Sequence, residues 1–241
     1  MRREGTGTKS KSLWVVGIAG ASSSGKTTLS KSLAKAFFHE EEEAKAQQQQ
    51  QQEKFRREGW TTTWLSLDSF YKDYQDIPQQ RTTSGRLVYN FDSPRSIDWP
   101  RFISAVRARS ESLGLLSSHP KFLFVEGLLL YHSKETRDLF DIKLFLRIRP
   151  ETSFQRRLQR REEAWQEVPD EEETFGEYFE EVLWPEYEAN NRHVLMREDE
   201  EEKEEEKEEE YVRTFDADDV SEREIFEQVK NYLSTFQSSD E

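Results

Sequence analysis

Gly20-Ala21-Ser22-Ser23-Ser24-Gly25-Lys26-Thr27 satisfies the pattern G-x-x-x-x-G-K-[ST] at every fixed position. Glycines at the two ends let successive backbone N–H groups turn inward around a row of phosphates. A helix that starts at the lysine then directs its positive N-terminus at the same charges. In such a loop Lys26 reaches the β- and γ-phosphates and the Thr27 hydroxyl ligates Mg²⁺. The flanks supply the context the motif needs. Leu13-Trp-Val-Val-Gly-Ile-Ala19 is a short apolar run, the pattern of a parallel strand buried on both faces. Beyond the loop, Leu29, Leu33, Ala36 and Phe37 recur at helical spacing through about Phe38. The alternative is a plain Gly/Ser turn capping a helix, but a match at four fixed positions arises by chance on the order of one time in a hundred in a chain this long. Residues 20–27, with Thr28, are therefore read as a nucleoside triphosphate site.

Working outward, a second strand is predicted at Thr61 to Leu67, ending on Asp68. A loop rich in Asp, Gln, Thr and Gly follows to about Pro94, then a helix near Trp99–Ser112. Lys121 to Val125 is another buried-strand run, ending at Glu126-Gly127. Asp141 to Ile148 is a fourth strand, stopped by Pro150. An arginine-rich helix is expected over 151–165 and a second helical stretch over 174–195. Tyr211 to Phe215 reads as a fifth strand and Glu222 to Phe236 as a closing helix. Strands alternating with helices predict one α/β domain over 1–241: a parallel sheet of about five strands, helices on both faces, and a helical lid at about 151–175.

The formal net charge is −14, from 35 Lys+Arg and 49 Asp+Glu. That balance argues against a protein that binds nucleic-acid phosphates. Nearly all of that net charge sits in two low-complexity segments. Residues 198–210 contribute −9, and residues 40–53, with six consecutive glutamines from Gln47 to Gln52, contribute −4. Both are too polar to bury themselves and are read as solvated insertions. The remainder is nearly neutral. The chain has no cysteine, which excludes disulfides, thiolate metal sites and cysteine nucleophiles. No apolar run approaches the roughly 18 residues of a membrane span. Arg2, Arg3, Lys9 and Lys11 ahead of Leu13–Ala19 imitate a secretory leader, but the run is short and the phosphate loop accounts for it. The expected location is intracellular, in the cytoplasm or nucleus.

In open α/β sheets ligands lie beyond the carboxyl ends of the strands. Asp68 and Glu126 fall there. Near a γ-phosphate one carboxylate can accept the proton of an acceptor hydroxyl while another holds Mg²⁺ through water. One strand-end acid is usually a cap; two beside a phosphate loop point to a catalytic role for Asp68 and Glu126, next to Lys26. No guanine-reading Asn-Lys-x-Asp segment occurs. Arg156, Arg157, Arg160 and Arg161 form one basic stripe on a helix. Alone, that stripe would be a solvated face paired with Glu162, Glu163 and Glu167. Beside the loop it reads as a lid that closes over the triphosphate.

The phosphate loop, Leu67-Asp-Ser-Phe-Tyr-Lys72, Asn90-Phe-Asp-Ser-Pro94, Val125-Glu-Gly-Leu-Leu-Leu130, Asp141-Ile-Lys-Leu-Phe145 and the arginine helix occur in one order. In that order the sequence resembles nucleoside kinases of the uridine kinase and nicotinamide riboside kinase group. Asp-Ser-Phe-Tyr, Asn-Phe-Asp and Arg137-Asp-Leu-Phe-Asp141 are shared with uridine kinases. Those enzymes carry a base-binding hairpin between the Asn-Phe-Asp motif and the Glu-Gly strand, and this interval holds nothing like it. Phe175-Gly-Glu-Tyr-Phe179 with Val182-Leu-Trp-Pro-Glu-Tyr187 looks like the segment after the lid of nicotinamide riboside kinases. That branch is preferred, with uridine/cytidine kinase as the alternative. A non-catalytic scaffold, whose acidic tract binds basic partners, is the rival of another class.

The resemblance implies a phosphotransferase that moves the γ-phosphoryl of ATP to a nucleoside 5′-hydroxyl with Mg²⁺, making a mononucleotide that feeds NAD synthesis. Asp68 would be the proton acceptor and a water-mediated magnesium partner, with Thr27 and Glu126 completing the magnesium shell. Ser69, Phe70 and Tyr71 would lie on the substrate side. Asp92 would hold the ribose 2′- and 3′-hydroxyls. Phe91 would offer its ring face to the base, and a cationic pyridinium gains about 1–2 kcal/mol on such a face when desolvated. Arg156 and Arg160 would meet ATP, and Arg157 the substrate. Where relatives have an aromatic soon after the lid arginines, this sequence has Glu162-Glu163-Ala164, and its first aromatic is Trp165.

Overall fold

The computed structural model describes residues 13–44, 63–115, 122–164, 171–195 and 211–236. Trp165 and the tracts 45–53 and 198–210 lie outside the described residues.

Strand β1 (Trp14–Gly20) forms the middle of a five-stranded sheet with β2 (Trp64–Ser66), β5 (Phe122–Gly127), β6 (Ile142–Arg147) and β7 (Arg213–Asp216). The order is β2-β5-β1-β6-β7 and every pairing is parallel. All of β5 and most of β1 and β6 are buried. That is why they read as unbroken apolar runs rather than alternating ones. The expected five-stranded parallel sheet is the one observed.

Helix α1 (Lys26–Ala44) packs Phe37 against Phe122 and Phe124 on one face of the sheet. The closing helix α7 (Glu222–Ser234) lies beside it. A Ser221–Glu224 capping box opens α7 and accounts for its sharp start. The opposite face holds Phe145, stacked on Tyr187 of α6 (Trp184–Leu195). Register puts Phe145 beside Ala19, whereas Phe124 aligns with Val16, so the two helices cover opposite sides. Helix α2 (Trp99–Gly114) brings Phe102, Ile103 and Val106 into the same core; Asp98 caps it, and Pro100 takes an early position where no N–H is needed.

Several boundaries differ from the sequence reading. Helix α1 continues past Phe38 to Ala44, into the segment taken as insertion, because Glu and Ala favour helix. Strand β2 stops at Ser66, and Leu67–Phe70 form a 3₁₀ turn capped by Ser66. Pro150 does not merely end β6 but opens helix α4 (Pro150–Ala164), its fixed φ suiting the first turn. The helical stretch expected over 174–195 is helical throughout and comprises α5 (Glu171–Tyr178), a π turn at Phe179–Leu183, and α6. Pro185 offers no N–H to the ladder, and the widened turn just before it sends the Trp184 N–H back to the Phe179 carbonyl.

An antiparallel hairpin, β3 (Gln79–Arg81) and β4 (Leu87–Tyr89), stands apart from the main sheet in the region read as loop. Gly85, with φ of 85°, makes its turn. The short helix α3 (Lys134–Arg137) links β5 to β6. Among the described residues no helix is long and apolar enough to cross a membrane.

Candidate active site

The loop between β1 and α1 is built by backbone demands. Gly20 has φ of 147° and Gly25 has φ of 90°, both costly for a residue with a side chain. A β-carbon on Gly20 would also collide with the Leu146 carbonyl oxygen. Among the described residues, Ser23, at φ of 62°, is the non-glycine residue in the left-handed region. Lys26 is buried, and its Nζ donates to the Ala21 carbonyl across 2.6 Å, spanning the loop. Burial pushes its pKa down to about 8; the negative charges of Glu126 and Asp68 oppose the shift.

Glu126, next to the end of β5, is 2% exposed. Thr27 Oγ1 donates to its Oε1 across 3.1 Å. Burial pushes the Glu126 carboxyl up, against the pull of the Ser66 hydroxyl and Lys26. Asp68 is exposed on the 3₁₀ turn after β2, its N–H bonded to the capping Ser66 Oγ at 3.3 Å. It acts electrostatically on Lys26, Glu126, Arg160 and Asp92. The two strand-end acids and the loop lysine thus meet at the carboxyl edge of β2, β5 and β1.

Helix α4 lays its arginines on the loop. Arg157 Nη1 donates to Ser22 Oγ at 2.6 Å, Arg160 donates to Ser23 Oγ, and Ser153 Oγ donates to the Ser22 carbonyl at 2.8 Å. Arg156 Nη2 donates to the carbonyls of Ala217 and Asp218, both at 3.1 Å, so it ties the helix to the end of β7. A cleft of about 1000 Å³ runs from residues 23–28 past Arg156 and Arg160. Its far wall is Ala36 on α1 and Val220, Arg223 and Phe226 on and before α7. Sequence reasoning missed that wall. Its only signal was an apolar spacing on α7 indistinguishable from core packing.

A second set gathers around Asp92. Asp92 is 4% exposed and receives the Tyr178 hydroxyl on Oδ2 at 2.6 Å. Burial pushes its carboxyl up, with Arg157 and Tyr178 opposing. Phe91 is half-buried, ringed by Tyr71, Tyr74 and Tyr89 at centroid distances of 5.8, 6.1 and 6.4 Å. Arg157 also lies over the Phe175 ring at 5.8 Å, so it spans the ground between the phosphate loop and Asp92. Ser69 is exposed beside Asp68. Phe70 is not brought to this wall: it is 5% exposed, packed edge-on against Phe102 with Arg101 over its ring, and belongs to the core.

The β3–β4 hairpin is clasped by the helical run after the lid. The Thr83 N–H donates to Glu181 Oε2 at 2.7 Å, and its hydroxyl also donates to that carboxylate. The Ser84 N–H reaches Glu177 Oε1 at 3.2 Å, and Arg86 pairs with Glu177 at 3.1 Å. Hydrogen bonds from the Ser84 and Thr82 hydroxyls hold the Glu177 carboxyl below its ordinary range. Asn90 Nδ2 donates to Glu186 Oε1 at 2.8 Å.

Residues 15–114 match the family described as Phosphoribulokinase / Uridine kinase. That stretch holds the phosphate loop, Asp68 and Asp92. A uridine kinase of Leuconostoc citreum (strain KM20) is 29% identical over 163 residues, 61% of this chain and 67% of that protein. Uridine-cytidine kinase 2-B of Danio rerio is 26% identical over 164 residues, again 61% of this chain, and the match spans 57% of its length. Among solved structures, one from Silicibacter sp. TM1040, described as a fructose transport system kinase, superposes with a TM-score of 0.50 at 16% identity. It covers 77% of this chain and 87% of that one, a likeness of fold.

Proposed function

We propose that this chain is an ATP- and Mg²⁺-dependent kinase that phosphorylates the 5′-hydroxyl of a nucleoside. One observation carries the reading: the Asp68 carboxylate acts electrostatically both on Lys26 of the phosphate loop and on the buried Asp92 with its aromatic neighbours. A phosphate donor and a hydroxylated acceptor would meet at that carboxylate.

Magnesium fits the residues present. Thr27 Oγ1 and Glu126 Oε1 are hard oxygen donors already in contact, and a cation would relieve the burial that pushes the Glu126 carboxyl up. Thr27, Glu126 and Asp68 would hold it, and it would supply charge neutralisation on the β- and γ-oxygens. The chain's own groups do the rest. Lys26 and the loop N–H groups position the triphosphate, and Arg160 and Arg156 line its cleft. Asp68 accepts the proton of the 5′-hydroxyl as the oxygen attacks. Catalysis is positioning plus electrostatic stabilisation.

For the base, nicotinamide riboside is our preferred substrate, giving the mononucleotide. Two observations support it. The described residues between Asp92 and β5 contain helix α2 and no strand, where a uridine kinase would have its base-binding hairpin. The Phe91 wall is aromatic with carboxylates close by, which suits a cationic ring. The relatives' names favour uridine or cytidine, and that reading stands beside it. A coupled assay with nicotinamide riboside, uridine and cytidine separates them. Faster turnover of a pyrimidine nucleoside would displace the nicotinamide reading.

A further inference from the structure

Asp92 is the most deeply buried carboxylate on the acceptor side, and its neighbours come from four elements. Arg157 faces it from α4, Tyr178 from α5, Glu186 from α6 and Asp68 from the turn after β2; Tyr71 lies near as well. Of these, Tyr178 makes the direct contact, its hydroxyl donating to Oδ2 at 2.6 Å. The partners are 86 residues apart in sequence. The Tyr178 ring is anchored independently of any ligand, packed on the cluster of Phe175, Phe179 and Leu183. A carboxylate offers about four acceptor positions. Tyr178 uses one, leaving Oδ1 and the rest for neighbouring hydroxyls.

We infer that Tyr178 is the positioning residue of the ribose site, holding Asp92 ionised and oriented to accept the 2′- and 3′-hydroxyls of the nucleoside. The inference rests on the nucleoside kinase reading above. Its physical basis is a balance at one buried group. Taking a carboxylate out of water favours the neutral acid, which presents one donor and fewer acceptor positions to a diol. A short hydrogen bond from a fixed phenol favours the ionised form and removes one rotational freedom of the carboxyl group. Arg157 contributes charge from the lid side. Arg157, however, also reaches Ser22 of the phosphate loop, so its position is shared with the donor, whereas Tyr178 serves Asp92 directly. No bond is made or broken by Tyr178; it acts through Asp92.

Tyr178→Phe removes the hydroxyl and keeps the ring, so the packing of α5 is retained. In steady-state assays of the full chain with ATP and Mg²⁺, the variant should raise the nucleoside KM about ten-fold. The KM for ATP should not change, and kcat should stay within about two-fold. As pH is lowered, the variant's nucleoside KM should rise more steeply than that of the unmodified chain. The sign follows from the lost donor: the Asp92 pKa moves up, and the acid form that binds ribose poorly appears at higher pH. Preference for a ribonucleoside over its 2′-deoxy analogue should shrink. In an Asp92→Asn background the same substitution should add nothing.

An unchanged nucleoside KM and pH profile would overturn the inference while leaving the kinase reading in place. So would a fall in KM, which would mean that Tyr178 occupies the ribose position rather than preparing it. So would an equal loss toward ATP and nucleoside, the mark of a purely structural role. If the unmodified chain phosphorylates no nucleoside, the kinase reading itself fails, and this inference with it.

Discussion

Thr27 Oγ1 donates to Glu126 Oε1 across 3.1 Å, joining the first turn of α1 to the last residues of β5. The contact brings a hydroxyl from the phosphate loop to a carboxylate 99 residues further along the chain, at the edge of the sheet where ligands of parallel α/β folds lie.

Glu126→Gln keeps the size of that side chain and its bond to Thr27 but removes the charge. Phosphoryl transfer should fall by about 10²–10³-fold, the loss typical of one preorganised electrostatic group. ATP binding measured without Mg²⁺ should be retained, and the dependence of rate on Mg²⁺ should shift to higher concentration. Transfer within about two-fold of the unmodified chain would remove Glu126 from the metal shell.

Lys26 gives the pH behaviour of nucleotide binding. Burial holds its pKa at about 8 in the free chain. The phosphates of bound ATP favour the protonated amine, so the bound pKa is higher and binding takes up a proton above about pH 8. Affinity should therefore be greatest below about pH 8 and weaken as pH rises through that value, by up to about ten-fold per unit. Calorimetry in buffers of different ionisation enthalpy reads the proton directly. Lys26→Met should bind weakly at every pH with no such slope; a flat profile in the unmodified chain would contradict the assignment.

The phosphate loop was legible in the sequence because its chemistry leaves little choice of residue type. Gly20 needs a φ of 147°, Lys26 needs charge, and Thr27 needs a hydroxyl. The buried strands were legible because both faces of β5 and β6 are covered, which forces continuous apolar runs. The β3–β4 hairpin was not. Its strands are three residues each, too short to show alternation, and Gln79 and Arg81 are exposed. Nor was the pairing of Tyr178 with Asp92, since a hydrogen bond between distant elements leaves no local pattern. Phe70, expected on the substrate side from the resemblance, turns the other way onto Phe102, as a 3₁₀ turn places successive side chains on different sides.

Glu181 and Glu177 fasten the hairpin that precedes Asn90, Phe91 and Asp92 to the run containing Tyr178. Glu181→Ala removes the acceptor of both the Thr83 N–H and its hydroxyl. The nucleoside KM should rise by about three- to ten-fold with the ATP KM unchanged, because hydrogen bonds to a charged group that is largely solvated are worth only about 1–2 kcal/mol together. Hydrogen exchange should speed up at residues 79–89. Equal rates there would show that the hairpin holds its place without the clasp.

Gly20→Ala tests the backbone requirement of the loop. The new β-carbon would meet the Leu146 carbonyl in a conformation L-residues rarely adopt. Urea unfolding should report a loss of about 2–4 kcal/mol, the sum of strain and overpacking. A loss below about 1 kcal/mol would mean the loop has an alternative path.

The central claim is transfer of a phosphoryl group to a nucleoside through Asp68. The most direct measurement incubates the full chain with ATP, Mg²⁺ and nicotinamide riboside, uridine or cytidine, and detects the nucleoside 5′-monophosphate by mass spectrometry. Asp68→Ala is run alongside. The account predicts a 5′-monophosphate with the unmodified chain, most rapidly from nicotinamide riboside, and a loss of about 10³-fold or more in the variant with ATP binding retained. No monophosphate from any of the three nucleosides by a chain that binds ATP, or near-normal turnover by Asp68→Ala, would contradict it.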